Sequence, residues 1–125
     1  MERLMPTVFL KAYELIDENT MDKLPDVETP LVLVEMVEDF KENTFWVKIR
    51  NVWTLIGKIP PLVPSEGDIV LFREKGQWGL FKYLGEEEDR VVLRDGRDER
   101  TTRVPKDVIE SLELFGKVIR VQEKV

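Results

Sequence analysis

Hydrophobic and polar positions along this chain fall into short runs, and most of the runs have a period of two. Phe45, Val47 and Ile49 alternate with Trp46, Lys48 and Arg50, the pattern of a strand with two unlike faces. Ile69 to Arg73 and Trp78 to Leu84 flank Glu74-Lys75-Gly76-Gln77 and predict a β-hairpin. Arg90 to Arg94 is expected to pair next, across a turn running from Gly85 to Asp89. Leu31 to Val37 predicts a buried strand, Pro105 to Leu112 a helical turn, and Leu114 to Val121 a closing strand. Only the first segment breaks this rhythm. Phe9, Ala12, Tyr13 and Ile16 fall on one helical face after Pro6-Thr7, so residues 7–18 are expected as an N-terminal helix. Pro25 and Pro30 among acidic residues make 19–30 an extended connector, followed by a β domain over 31–125. The expectation is a single domain, 1–125, of mainly β class: a barrel or sandwich of short antiparallel strands with one helix.

Composition changes this picture chiefly by exclusion. The chain has 125 residues, 42% hydrophobic and 35% charged, enough for a packed core under a dense charged surface. It contains neither cysteine nor histidine. Disulfides, thiolate metal sites, cysteine nucleophiles and the commonest general base are thereby ruled out. Any catalysis would fall to carboxylates, lysine, hydroxyls or a bound cofactor, and no cofactor or metal site is identified in the sequence. The formal charge of −6 disfavours direct nucleic-acid binding, and a lone helix cannot be a helix-turn-helix. Nowhere do about 18 apolar residues run together, so no membrane span is expected. Lys11 and Glu14 interrupt the apolar start, which argues against a signal peptide and for a cytoplasmic protein. Few amides (Asn19, Asn43, Asn51, Gln77, Gln122) among many charges fit a thermophilic source.

The candidate chemistry centres on one lysine. Alternation over Trp78 to Leu84 puts Trp78, Leu80, Lys82 and Leu84 on one face and Gly79, Phe81 and Tyr83 on the other. A lysine buried among apolar groups loses basicity and can act as a general base. The alternative is a half-exposed face along which the Lys82 stem snorkels.

The frame around Lys82 resembles the LexA-like serine–lysine peptidases, the fold of self-cleaving phage repressors and a relative of signal peptidases. The residues that carry the resemblance are Gly67-Asp68-Ile69-Val70, Leu80-Phe81-Lys82-Tyr83-Leu84 and Gly116-Lys117-Val118-Ile119, in the family's order and at similar separations. Val92 to Asp95 and Val104 to Asp107 look like its intervening strand and turn. The resemblance covers about half the chain and implies Lys82 as the general-base position. It also implies a serine in a Gly-x-Ser-Met segment before the Gly-Asp pair. Here Trp53 stands at that position by strand alignment, or Lys58, Ile59 or Pro60 by counting back from Gly67, and the serines present, Ser65 and Ser111, lie elsewhere. The Ala-Gly or Cys-Gly bond that such repressors cleave is missing too. Thr54 is the hydroxyl nearest the slot, so a shifted threonine–lysine pair is the catalytic alternative.

The resemblance, with its serine missing, implies a catalytically inactive LexA-like domain acting in protein association. The association it implies includes homodimerisation, with the strand near Val118 to Val121 as the first place to seek a contact. The competing reading is an SH3- or Tudor-like peptide-binding module, since Gly67 to Leu84 and Val91 to Gly96 also resemble such barrels. Two or three of Trp46, Trp53, Phe72, Trp78, Phe81 and Tyr83 would then meet in one concave patch. Arg94, Arg97, Arg100 and Arg103 are interleaved with Asp95, Asp98 and Glu99 and read as a self-paired loop rather than a phosphate site. Glu86-Glu87-Glu88-Asp89 lacks calcium-loop spacing and reads as a solvated turn.

Overall fold

The computed structural model describes residues 6–112 and 114–123, and among these the chain is mainly β. The strands are β1 (Thr7–Asp17), β2 (Thr20–Pro30), β3 (Thr44–Ile49), β4 (Val52–Lys58), β5 (Ile69–Glu74), β6 (Gln77–Glu87), β7 (Arg90–Asp95), β8 (Thr101–Pro105) and β9 (Gly116–Glu123). Two short helices, α1 (Phe40–Asn43) and α2 (Lys106–Glu110), and a 3-10 turn at Leu31–Leu33 complete the secondary structure. Contacts divide the chain into two compact units: residues 1–57 with 119–125, and residues 58–118. No helix among the described residues is long and apolar enough to cross a membrane.

In the first unit the order is β2-β1-β3-β4, with the latter part of β9 beside β4. β1 pairs antiparallel with β2 and parallel with β3. The helix expected over 7–18 is therefore a strand. Val8, Leu10 and Ala12 are buried at a period of two, whereas Phe9 and Ile16, half of the supposed helical face, are 61% and 53% exposed. The segment is rich in β-branched and aromatic residues, which favour strands over helices. An equally long partner supplies the ladder. The connector expected over 19–30 is that partner. Pro25 is tolerated because β2 lies at the edge and the register slips there: Leu24 faces Ala12 and Val27 faces Leu10. Pro25 and Asp26 thus share one opposing residue in a bulge, where no ladder donor is required.

Leu31 to Val37 forms no strand. The chain makes a 3-10 turn at Leu31–Leu33 and a loop instead. Leu31, Leu33 and Val34 still pack on a core of Val8, Leu10, Ala12, Trp46 and Leu55, while Met36 stands fully exposed. β3 and β4 are joined by Arg50-Asn51, both at positive φ (49° and 66°), the two-residue turn whose twist matches its strands.

The second unit has the order β9-β5-β6-β7-β8, in which every pairing is antiparallel. The β5–β6 hairpin forms as expected, about Lys75-Gly76 at φ 51° and 81°. α2 falls within the expected helical turn, and β9 overlaps the expected closing strand but starts two residues later and runs on to Glu123. β6 runs on to Glu87 where a turn from Gly85 was expected, and Gly85 (φ 124°) sits in a bulge inside the strand. The core gathers Val70, Phe72, Phe81, Tyr83, Val91, Leu93 and Val104 from one face of the sheet, closed by Ile59, Ile109 and Phe115. Phe72 meets Phe81 and Phe115 edge to face at 5.3 and 5.8 Å, the favoured arrangement of ring quadrupoles.

Candidate functional site

Lys82 lies on the outer face of this unit. The alternation anticipated from the sequence holds, but the buried face is that of Phe81 and Tyr83, and Lys82 is exposed. Its cross-strand neighbours are Ile69 and Arg94, and Leu80 and Leu84 flank it along the strand. No hydroxyl adjoins it in the sheet. Burial, the property that would make this lysine a base, is not found. Thr54 is 4% exposed in β4, opposite Val47, and belongs to the first unit. Trp53 packs with Trp46, ring centroids 6.1 Å apart, within the first core.

The aromatics do not form a cage. Trp46, Phe72 and Phe81 are buried in their cores, and Trp78 lies under Arg73, whose guanidinium is 5.5 Å from the ring. Tyr83 borders a concavity. The arginine series is indeed self-paired: Arg94 with Glu99, Arg97 with Asp95, Arg100 with Asp98 and Glu74, Arg103 with Glu87. Asp95 faces Phe81 across β6 and β7, so it joins the core face and is 2% exposed. Hydrogen bonds from the Arg97 side chain hold its carboxyl below the usual carboxylate range, outweighing its burial. Arg97 N–H donates to Asp95 Oδ1 at 2.8 Å, which closes the turn.

The concavity that Tyr83 borders is a pocket of about 200 Å³ in the second unit, and sequence reasoning missed it. Three pieces of chain build it. The loop from Ile59 to Pro64 lays three prolines along one wall, Tyr83, Glu86 and Val91 come from β6 and β7, and Lys106, Ile109 and Glu110 come from α2, with Phe115 beyond. The bulge at Gly85 decides which carboxylate takes part. Tyr83 opposes Leu93, and without the bulge Val91 would face Gly85. The extra residue brings Glu86 opposite Val91 instead, on the core side of the sheet. A strand end read as a solvated acidic turn therefore contributes one acid to a pocket wall.

Lys106 Nζ meets Glu86 Oε2 at 2.6 Å, and the Lys106 backbone N–H donates to the Asp89 carbonyl, which ties α2 to the turn. Burial pushes the Tyr83 phenol above its usual value, Glu86 adding to the shift and Lys106 opposing it. Glu86 and Glu110 against Lys106 leave the lining with one excess negative charge. The pocket combines an apolar floor, two aromatic rings and a polar rim, the usual composition of a recognition site. Among the described residues no group of three acidic side chains could hold a metal ion. No protein-family model and no curated protein matches the chain.

Proposed function

We propose that this chain is a catalytically inactive domain of LexA-like peptidase fold that acts in protein association. The observation that carries the reading is the setting of Lys82: open to solvent, flanked by Ile69, Arg94, Leu80 and Leu84, with no hydroxyl beside it in the sheet. A lysine base needs its nucleophile within hydrogen-bond reach and a site that disfavours its charge. The exposed setting of Lys82 and its neighbours Ile69 and Arg94 support the inactive reading. Pairing with β5 takes up Gly116 and Lys117 only, and the following residues of β9, with Val121 exposed, are the stretch through which self-association is proposed.

The strand order of the second unit favours one further reading, an SH3-like peptide-binding module. Four consecutive antiparallel strands, a helical turn, and a last strand returning beside the first (β9-β5-β6-β7-β8) is the order expected of such a barrel. Both readings describe a binding protein, and one experiment separates them from the hydrolase. Wild type and Lys82→Ala are assayed for hydrolysis of peptide amides, and wild type is sized by light scattering over a wide concentration range. The expected result is no turnover in either protein. Turnover in wild type that Lys82→Ala abolishes would overturn the proposal.

A further inference from the structure

The pocket between the proline loop and α2 has features that select among occupants. Its interior walls are hydrocarbon: Pro60, Pro61 and the rings of Tyr83 and Phe115. Its charged groups are Glu86, Glu110 and Lys106, and the one cation is already engaged at 2.6 Å with Glu86. Glu110 has no ion pair among the described residues. Asp89, whose carbonyl accepts from the Lys106 N–H, adds a further negative charge beside Lys106. An anionic ligand would have to displace Glu86 from Lys106 and face the second carboxylate. A neutral apolar side chain would fill the floor and leave that carboxylate unanswered. A cation on a hydrocarbon stem satisfies both parts at once: methylenes against prolines, charge at the rim carboxylates.

We infer that this pocket takes one lysine or arginine side chain of a partner polypeptide. The inference rests on the reading of the chain as a protein-association domain and names the chemistry of its partner. Specificity comes from the rim and shape from the loop. Recognition is of the side chain more than of the backbone, because β8, the nearest sheet edge, is short and ends at Pro105.

The test is an amide NMR titration of the full chain with four blocked pentapeptides, alanine throughout except for a central arginine, lysine, glutamate or norleucine. The arginine and lysine peptides are expected to shift the amides of Tyr83, Val91, Ile109 and Glu110 saturably. The other two should bind at least tenfold more weakly. Glu110→Lys, a change at an exposed position, should weaken the basic peptides at least tenfold and leave distant amides unmoved. Norleucine binding as tightly as arginine would overturn the inference in favour of a plain apolar anchor. Preference for glutamate would overturn it in favour of an anion site on Lys106. If no peptide shifts these amides, the inference fails. Self-association by light scattering, or absence of hydrolysis, would in that case leave the association reading standing.

Discussion

The core of the first unit contains one polar contact whose removal gives a defined energetic answer. The Trp46 indole N–H donates to the Thr29 hydroxyl at 2.6 Å, with Thr29 fully buried and Trp46 3% exposed. The Thr29 hydroxyl in turn donates to the Val27 carbonyl at 3.3 Å. Thr29→Val preserves shape and removes the acceptor, so a buried indole N–H is left without a partner. An orphaned buried donor costs about 1–3 kcal/mol, and the extra methyl buried in place of the hydroxyl returns about 0.8 kcal/mol. The expected net loss is about 0.2–2 kcal/mol, a fall of up to about 1 M in urea midpoint for a slope of about 2 kcal/mol/M. The same substitution in a Trp46→Phe background orphans nothing and should cost about 1 kcal/mol less, a coupling above the scatter of independent sites. Urea unfolding of the four proteins, followed by circular dichroism, measures the cycle. Equal costs of Thr29→Val in the two backgrounds would refute the reasoning, because the hydroxyl would then not be serving the indole.

Single residues elsewhere carry further consequences. Asp95→Asn should cost about 1–2 kcal/mol at neutral pH, the lower part of the range of about 1.5–3 kcal/mol for hydrogen bonds to a charged group discounted for the half-exposed Arg97. Because Arg97 lowers the folded-state pKa of Asp95, its contribution is complete above the unfolded value near 4 and disappears as pH falls through the folded one. The stability gap between wild type and Asp95→Asn should therefore narrow on acidification, and a gap that widens toward acid contradicts the assignment. Gly85→Ala meets no atom within 4 Å of its new Cβ, yet φ there is 124°. A loss of about 1–3 kcal/mol is expected from backbone strain alone, and a neutral thermal melt would show that the bulge relaxes freely.

The period-two rhythm, the absence of histidine and cysteine, and the Lys75-Gly76 turn were enough to establish a mainly β chain without the commonest catalytic groups. They located β3, β5, β6, β7 and β9 because each of those strands carries its own alternation or a turn at its end. The local pairs of the arginine series were legible for a similar reason, since Glu99, Asp95 and Asp98 lie within a few residues of Arg94, Arg97 and Arg100, whereas Glu74 and Glu87, the partners of Arg100 and Arg103, are distant in the chain. The features that stayed hidden depended on partners distant in the chain. Residues 7–17 satisfy a helical and a strand pattern at once, and only pairing with β2 and β3 decides between them. Alternation divides Trp78 to Leu84 into two faces but carries no sign. Phe72, Leu93 and Phe115 cover the Phe81 side, so Lys82 is left in water. The pocket was least legible of all. It needs three prolines, one residue of bulge at Gly85 and a helical turn more than 40 residues beyond the proline loop, none of which is a motif by itself. Local sequence sets the period of each strand; the tertiary structure alone decides which face is covered, because burial belongs to the assembled sheet and not to any segment of it.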